Sequence, residues 1–305
     1  MRHNKLDLNL LTALKALLKE KSVTRAGETL HLTQSAMSGI LGRLRDYFDD
    51  PLIVPVGRKM ELTPLAESLV GPVNDLLLRI DATITTRPDF NPQTTRRHFS
   101  IVASDYSVNV LLLAVMQRLH REAPGITLEF LSPSEHAASE LESGEVDFII
   151  EPEQFTSRSQ TGQVLFEDGY SILVAADHPH LSDEITLEQY LELGHVSYQT
   201  SNTGLPMFEN WFNREHGEIR RVEVAVHCFE LLPKLILGTT RLATMHTRMA
   251  LPYLEQLPIR RVKPLFALPK LVEVLQWHRY REQDMGNQWL RERIIEMAQT
   301  LPASV

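Results

Sequence analysis

Thr33-Gln34-Ser35-Ala36-Met37-Ser38-Gly39-Ile40-Leu41-Gly42-Arg43-Leu44-Arg45 carries two faces at helical spacing. One is an inward stripe of Met37, Ile40, Leu41 and Leu44, continued by Phe48. The other is short and polar, with Ser35, Ser38, Gly39 and Gly42 leading to Arg43 and Arg45. A solvated face ordinarily carries Glu and Lys, which favour helices, whereas each glycine sacrifices about 1 kcal/mol relative to alanine. A face kept this slim can lie close against a nucleic-acid groove. Thr33 is placed to cap the helix, Gln34 can pair bidentately with adenine, Ser35 and Ser38 can meet base edges, and Arg43 can reach phosphate.

The flanking segments complete a small three-helix head. A first helix opening near Asp7 or Asn9 spaces Leu8, Leu11, Leu14, Leu17 and Leu18 on one face. Ser22 is a cap for a short second helix that turns Val23, Ala26 and Leu30 inward. Beyond Asp49-Asp50-Pro51, two short β-type runs flank Gly57-Arg58-Lys59 and predict a wing, with Arg58 and Lys59 over the DNA backbone or minor groove. Thr63-Pro64 then supplies a cap and a first-turn proline. The following helix spaces Leu65, Leu69, Val73, Leu76, Ile80 and Ile84 three or four residues apart, a seam for a partner helix. Gly71-Pro72 predicts a bend within it.

Charge is divided unevenly along the 305 residues. Residues 1–63 hold ten Lys and Arg against seven Asp and Glu, leaving 21 basic and 32 acidic residues in the remainder of a chain whose net charge is −8. DNA binding is therefore expected of the head alone. No apolar run reaches the length of a membrane span, and Asp7 and Asn9 break any signal-peptide core, so the expected location is cytoplasmic. A lone cysteine, Cys228, rules out an intramolecular disulfide.

The motifs resemble those of the LysR-type transcriptional regulators. Leu6-Asp7-Leu8-Asn9-Leu10-Leu11 looks like the family's opening helix. Ser22-Val23-Thr24-Arg25-Ala26-Gly27 with Leu32-Thr33-Gln34-Ser35-Ala36-Met37-Ser38 is similar to its helix-turn-helix core. Asp50-Pro51-Leu52-Ile53-Val54, Gly57-Arg58 and Leu62-Thr63-Pro64 look like its wing and linker. Downstream, Phe99-Ser100-Ile101-Val102-Ala103-Ser104-Asp105-Tyr106, Ala123-Pro124-Gly125-Ile126 and Gly144-Glu145-Val146-Asp147-Phe148 resemble the branch of NodD-like and NahR-like regulators. Three positions depart from the pattern. Gly39 stands where a larger polar or basic residue is common, Pro55 where an arginine is common, and Asp49 where a helix-ending glycine is frequent.

The resemblance implies an α plus α/β architecture: an N-terminal winged helix-turn-helix (1–63), a long linker or dimerisation helix and hinge (64–90), and a two-lobed, periplasmic-binding-protein-like effector domain (91–305). Lobe I would comprise residues 91–168 and 270–305, and lobe II residues 169–269. The implied partners are promoter DNA, an aromatic or phenolic inducer, RNA polymerase and further copies of the chain as a dimer or tetramer. No cofactor is implied.

The body's own pattern alternates strands and helices. Phe99–Ala103, Ile126–Leu131 and Val146–Ile150 read as strands with helices between, predicting a parallel sheet, and the alternation continues to a helix near Gln283–Gln299. Ligands of such sheets sit beyond strand carboxyl ends. The residues there are Ser104, Asp105 and Tyr106, then Thr200, His227, Phe229 and His246. Tyr106 and Phe229 could sandwich a ring, Ser104 and Thr200 orient an oxygen, and a histidine meet a phenolate or carboxylate. Three other classes fit less well. His227 and Cys228 are adjacent on a strand and so point apart, against a thiol enzyme. His178-Pro179-His180 lacks companion ligands at a metal spacing, and the attached head argues against a stand-alone solute receptor.

Overall fold

The computed structural model describes residue 7 and residues 9–85, 90–199, 207–217 and 220–302. These form two compact units that divide between Thr85 and Phe90.

In the first unit, α1 (Asn9–Glu20) buries Leu10, Leu11, Leu14, Leu17 and Leu18 on one side. Helix α2 (Val23–Thr29) starts at Ser22, whose Oγ accepts from the Arg25 N–H at 3.4 Å. Helix α3 (Gln34–Phe48) starts at Thr33, whose Oγ1 accepts from the Ala36 N–H at 3.2 Å. Met37 and Leu44, both without exposed surface, join Leu14, Leu17 and Ala26 in a single core. Asp49 ends α3 at φ 54°, the left-handed conformation that glycine adopts most cheaply. The chain then turns through Leu52, also left-handed at φ 61° though buried. Asp50 holds this turn, because its Oδ1 accepts from the Leu52 N–H at 2.7 Å and the Thr63 hydroxyl at 2.7 Å. Strands β1 (Ile53–Val56) and β2 (Lys59–Leu62) pair antiparallel, Ile53 opposite Leu62, around a turn with Gly57 at φ 63°.

Helix α4 (Pro64–Thr85) runs through Pro72, whose missing N–H leaves the Ser68 carbonyl without its helix partner. The expected seam is divided between two tasks. Leu69 and Val73 pack on the head's own core, while Leu65 and Leu76 are exposed. The Ile84 side chain lies outside the described residues.

The second unit holds two sheets. Strand β3 (Arg97–Val102) leads into α5 (Asp105–Ser107), a π-helical turn over Val108–Leu112 and α6 (Leu113–Glu122), one helical run. There follow β4 (Ile126–Leu131), α7 (Ala137–Ser143), β5 (Phe148–Pro152) and β6 (Thr161–Asp168). Gly169 then passes the chain to β7 (Tyr170–Ala175), β8 (Glu184–Ile185), α8 (Leu187–Glu192), β9 (His195–Tyr198), α9 (Met207–His216) and β10 (Val222–Val226). A 3-10 turn over Phe229–Leu231 precedes α10 (Leu232–Leu235), β11 (Leu242–His246), α11 (Thr247–Gln256) and β12 (Ile259–Pro264). Strand β13 (Leu271–Trp277) and α12 (Met285–Gln299) close the chain.

Lobe I is the sheet β4-β3-β5-β13-β6, and lobe II is β10-β9-β11-β7-β12-β8. The three strands from which a parallel sheet was expected do lie parallel, but neither sheet is parallel throughout: both are mixed. In lobe I, β3 lies parallel to β4 and β5, but β13 is antiparallel to both β5 and β6. In lobe II, β7 is antiparallel to β11 and β12. The reversed strands are those at which the chain changes sheets, where no crossover helix intervenes to restore direction. Two βαβ runs remain parallel inside each lobe: β3 with β4 and β5, and β9 with β10 and β11.

Candidate functional site

In the head, the predicted DNA-facing residues sit on one exposed edge of α3. Thr33, Gln34, Ser35, Ser38 and Arg43 are all exposed, as is Arg58 in the wing turn. Arg43 has Asp7 at 3.8 Å, both side chains open to solvent, a pairing worth little against a phosphate. Arg45 does something else. Its Nε donates to the Pro51 carbonyl at 2.9 Å and its Nη2 to the Ile53 carbonyl at 3.2 Å, fixing the root of the wing to α3. A methyl group built on Gly39 or Gly42 would meet nothing within 4 Å, so neither glycine is required by packing within the described residues. Gly27 contrasts with them, since there it would meet the Leu32 carbonyl oxygen at 3.0 Å.

In the second unit, a cavity of roughly 430 Å³ opens between the lobes. Lobe I contributes Ser104, Phe155, Glu151 and Glu273, among others, and lobe II contributes Tyr170, Tyr198, Phe208, Phe229 and His246. Of the residues expected from sequence, Ser104, Phe229 and His246 line it. Tyr106 does not, because its ring is fully buried behind His246 with centroids 4.0 Å apart. Its hydroxyl donates to Asp168 Oδ2 at 2.8 Å, at the point where the chain leaves lobe I. The expected sandwich of Tyr106 and Phe229 is therefore replaced by a stack of Phe229 on Tyr198, 4.0 Å apart. Asp105 reaches across the cleft, its Oδ2 accepting from the Phe229 N–H at 2.6 Å and the Glu230 N–H at 3.3 Å. That contact ties α5 of lobe I to the 3-10 turn of lobe II. His227 is exposed and outside the lining, with Nδ1 at 2.8 Å from the Gln199 carbonyl. Thr200 lies outside the described residues.

Burial sets the electrostatics. The His246 imidazole is pushed down to about 3 by desolvation alone, so it is neutral at physiological pH. Its Nδ1 is buried without a hydrogen-bond partner. The Glu273 carboxyl is pushed up to about 8, first by burial and then by the charge of Glu151. Glu151 is itself pushed up to about 7 by burial. Asp105 and Asp168 are also raised, burial being the larger cause in each. The one arginine or lysine among the described lining residues is Arg220, held in a buried pair with Glu209.

The carboxyl pair escaped the sequence reading, although two signals mark it. Glu151 directly follows the apolar run Phe148-Ile149-Ile150, and Glu273 interrupts Leu271-Val272 and Val274-Leu275. A charge inside an apolar strand is either paired or functional.

His178 is buried, with Nε2 at 3.2 Å from the Thr240 carbonyl and Nδ1 accepting from the His180 N–H at 3.3 Å. It braces a turn. Among the described residues, no group of three His, Cys, Asp or Glu is placed to hold a metal ion, and no helix is long and apolar enough to cross a membrane.

Two family models match the chain. The bacterial regulatory helix-turn-helix protein of the lysR family matches residues 8–67, and the LysR substrate binding domain matches residues 92–299. Nodulation protein D of Bradyrhizobium sp. (strain ANU 289) is 38% identical over 301 residues, covering 99% of this chain and 89% of the relative. A probable transcriptional regulator from Pseudomonas aeruginosa superposes with a TM-score of 0.65 at 28% identity, covering 99% of both chains. ArgP from Mycobacterium tuberculosis superposes with a TM-score of 0.71 at 17% identity, covering 99% of this chain and 100% of ArgP.

Proposed function

The chain belongs to the LysR family of transcriptional regulators, and on that premise we propose that it binds promoter DNA sequence-specifically under the control of a small aromatic or phenolic effector. Residues 1–63 form the DNA-binding head, 64–90 the linker and dimerisation helix, and 91–305 the effector domain. The protein works in the cytoplasm at promoters, where RNA polymerase is a further partner.

The observation that carries the DNA assignment is the α3 edge. Gln34, Ser35 and Ser38 are exposed and short, and Gly39 and Gly42 are glycines that the protein's own described packing does not require. Their helix cost is offset if a partner surface must approach that edge closely. Thr33 fixes the helix start, while Arg43 and Arg58 hold phosphates on either side of the groove. The test is Ser38→Leu, an exposed change that should leave thermal stability intact. Promoter retention should weaken at least about tenfold. Wild-type retention by that variant would remove α3 from the interface.

The effector reading is supported by the interlobe cavity, its aromatic walls and the NodD relatives. Ser104, Phe229 and His246 line the cavity, Asp105 holds the lobes together, and Tyr106 backs the His246 ring while its hydroxyl is held by Asp168 of its own lobe. A ligand that favours one lobe separation shifts the balance between states with Asp105 engaged and released. Two heads joined through α4 would then change spacing on paired half-sites. The exposed Leu65 and Leu76 offer the contact surface, and sedimentation of Leu76→Glu should report a smaller assembly.

A further inference from the structure

We propose that Glu151 and Glu273 form the polar anchor of the interlobe cavity, selecting a ligand that brings hydrogen-bond donors and no negative charge, and rejecting aromatic carboxylates. This rests on the reading of the cavity as an effector site and narrows its ligand class.

Three observations converge. Both glutamates line the cavity, Glu273 being only 2% exposed, and neither has a Lys or Arg partner among the described ion pairs. Glu273 has one weak donor, the Ser107 hydroxyl at 3.5 Å. The cavity's cation is already spent. Arg220 has five N–H donors. Nε goes to Glu209 Oε2, Nη1 to Tyr190 Oη and His195 Nδ1, and Nη2 to Ser197 Oγ and Glu209 Oε1. No donor of that guanidinium is left for an anionic ligand. Independently, His246 lines the same cavity with Nδ1 buried and unpartnered, which leaves a further polar group for a ligand to satisfy. Its imidazole is neutral, so it supplies no positive charge either.

A carboxylate entering here would lose its hydration in a poorly solvated space with no cation to compensate it, and its charge would oppose ionisation of both glutamates. A hydroxyl or a protonated amine supplies the missing donors. The two donor types differ in proton count. A cation binding at neutral pH drives the pair to ionise and releases protons, whereas a neutral hydroxyl does not.

The test uses the full-length protein and four ligands on one scaffold: naphthol, naphthylmethylamine, naphthoate and methoxynaphthalene, followed by calorimetry in two buffers. Naphthol or naphthylmethylamine should bind at least about tenfold more tightly than naphthoate or the donor-free ether. Proton release on binding assigns the anchor to an amine, and its absence assigns it to a hydroxyl. The variants Glu151→Gln and Glu273→Gln, each checked for wild-type DNA retention, should shrink the gap against naphthoate to within about threefold. Naphthoate binding as well as naphthol, or a gap that survives both substitutions, overturns the anchor and leaves the aromatic site standing. Silence of all four ligands overturns the aromatic site itself, and the anchor with it.

Discussion

Arg220→Met is the substitution whose cost the structure specifies most closely. Arg220 is 4% exposed and Glu209 8%. Nε lies 3.1 Å from Glu209 Oε2, and the second amino group closes a bidentate pair on Oε1. Nη1 donates to Tyr190 Oη at 2.9 Å, and Nη2 to Ser197 Oγ at 3.0 Å. Methionine fills much of the volume but strands Glu209 as a buried charge. Removing one partner of such a pair costs about 3–5 kcal/mol. The Ser197 hydroxyl still donates to Glu209 at 2.6 Å, which places the expected loss near the lower end. For a unit of this size each kcal/mol lowers Tm by about 2–4 °C, so about 6–12 °C is expected. Thermal unfolding by near-ultraviolet circular dichroism reports it directly. Because the cost comes from the stranded charge, Glu209→Leu/Arg220→Met should recover most of the loss. A fall of under about 2 °C in the single variant, or a double variant as unstable as the summed singles, would refute the account.

Gln34→Ala should cost about 1–3 kcal/mol of promoter binding and relax sequence preference, whereas Arg58→Ala should weaken all sequences alike and reduce the salt slope by about one; fluorescence anisotropy across salt separates them. The Glu273 carboxyl is raised from 4.5 to about 8, so the folded chain keeps a proton that the unfolded chain has lost. Its contribution to stability is complete below the lower value and disappears as pH rises through the upper one. Tm should therefore fall between about pH 4.5 and 8, with Glu151 and Asp168 as the neighbouring acids, and Glu273→Gln should flatten that fall. At the end of α3, Asp49→Gly should be close to neutral and Asp49→Val should lose about 1–2 kcal/mol, read by chemical denaturation. Equal stabilities for glycine and valine there would show that the left-handed turn is not maintained in solution.

The head was legible because its signals are local. Ser22, Thr33 and Pro64 mark helix starts, Gly57 marks the wing turn, and each acts within a few residues of its own position. The body was legible only where strands are apolar. Strand β6 gives little signal of its own, because Gln163 and Glu167 break its apolar pattern, and β12 gives none, because Arg260, Arg261 and Lys263 read as loop. Both strands are held by their neighbours in the sheet, which sequence spacing does not reveal. The cleft followed the same rule. Ser104 and His246 lie at or just beyond strand ends, where the sequence directs attention; Tyr198 also ends its strand, but the sequence pattern carries that strand past it toward Thr200, and Glu273 lies inside β13. Tyr106 failed as a ring platform because it turns toward Asp168 and the interior.

Strand β13 sits between β5 and β6, and β6 pairs with nothing else in its sheet. During synthesis, lobe I must therefore wait with an open edge until residues 271–277 clear the ribosome, long after the first unit has emerged whole. A stop codon ahead of Leu271 would therefore leave β5 and β6 with no strand to join them, and lobe I open for the life of the product.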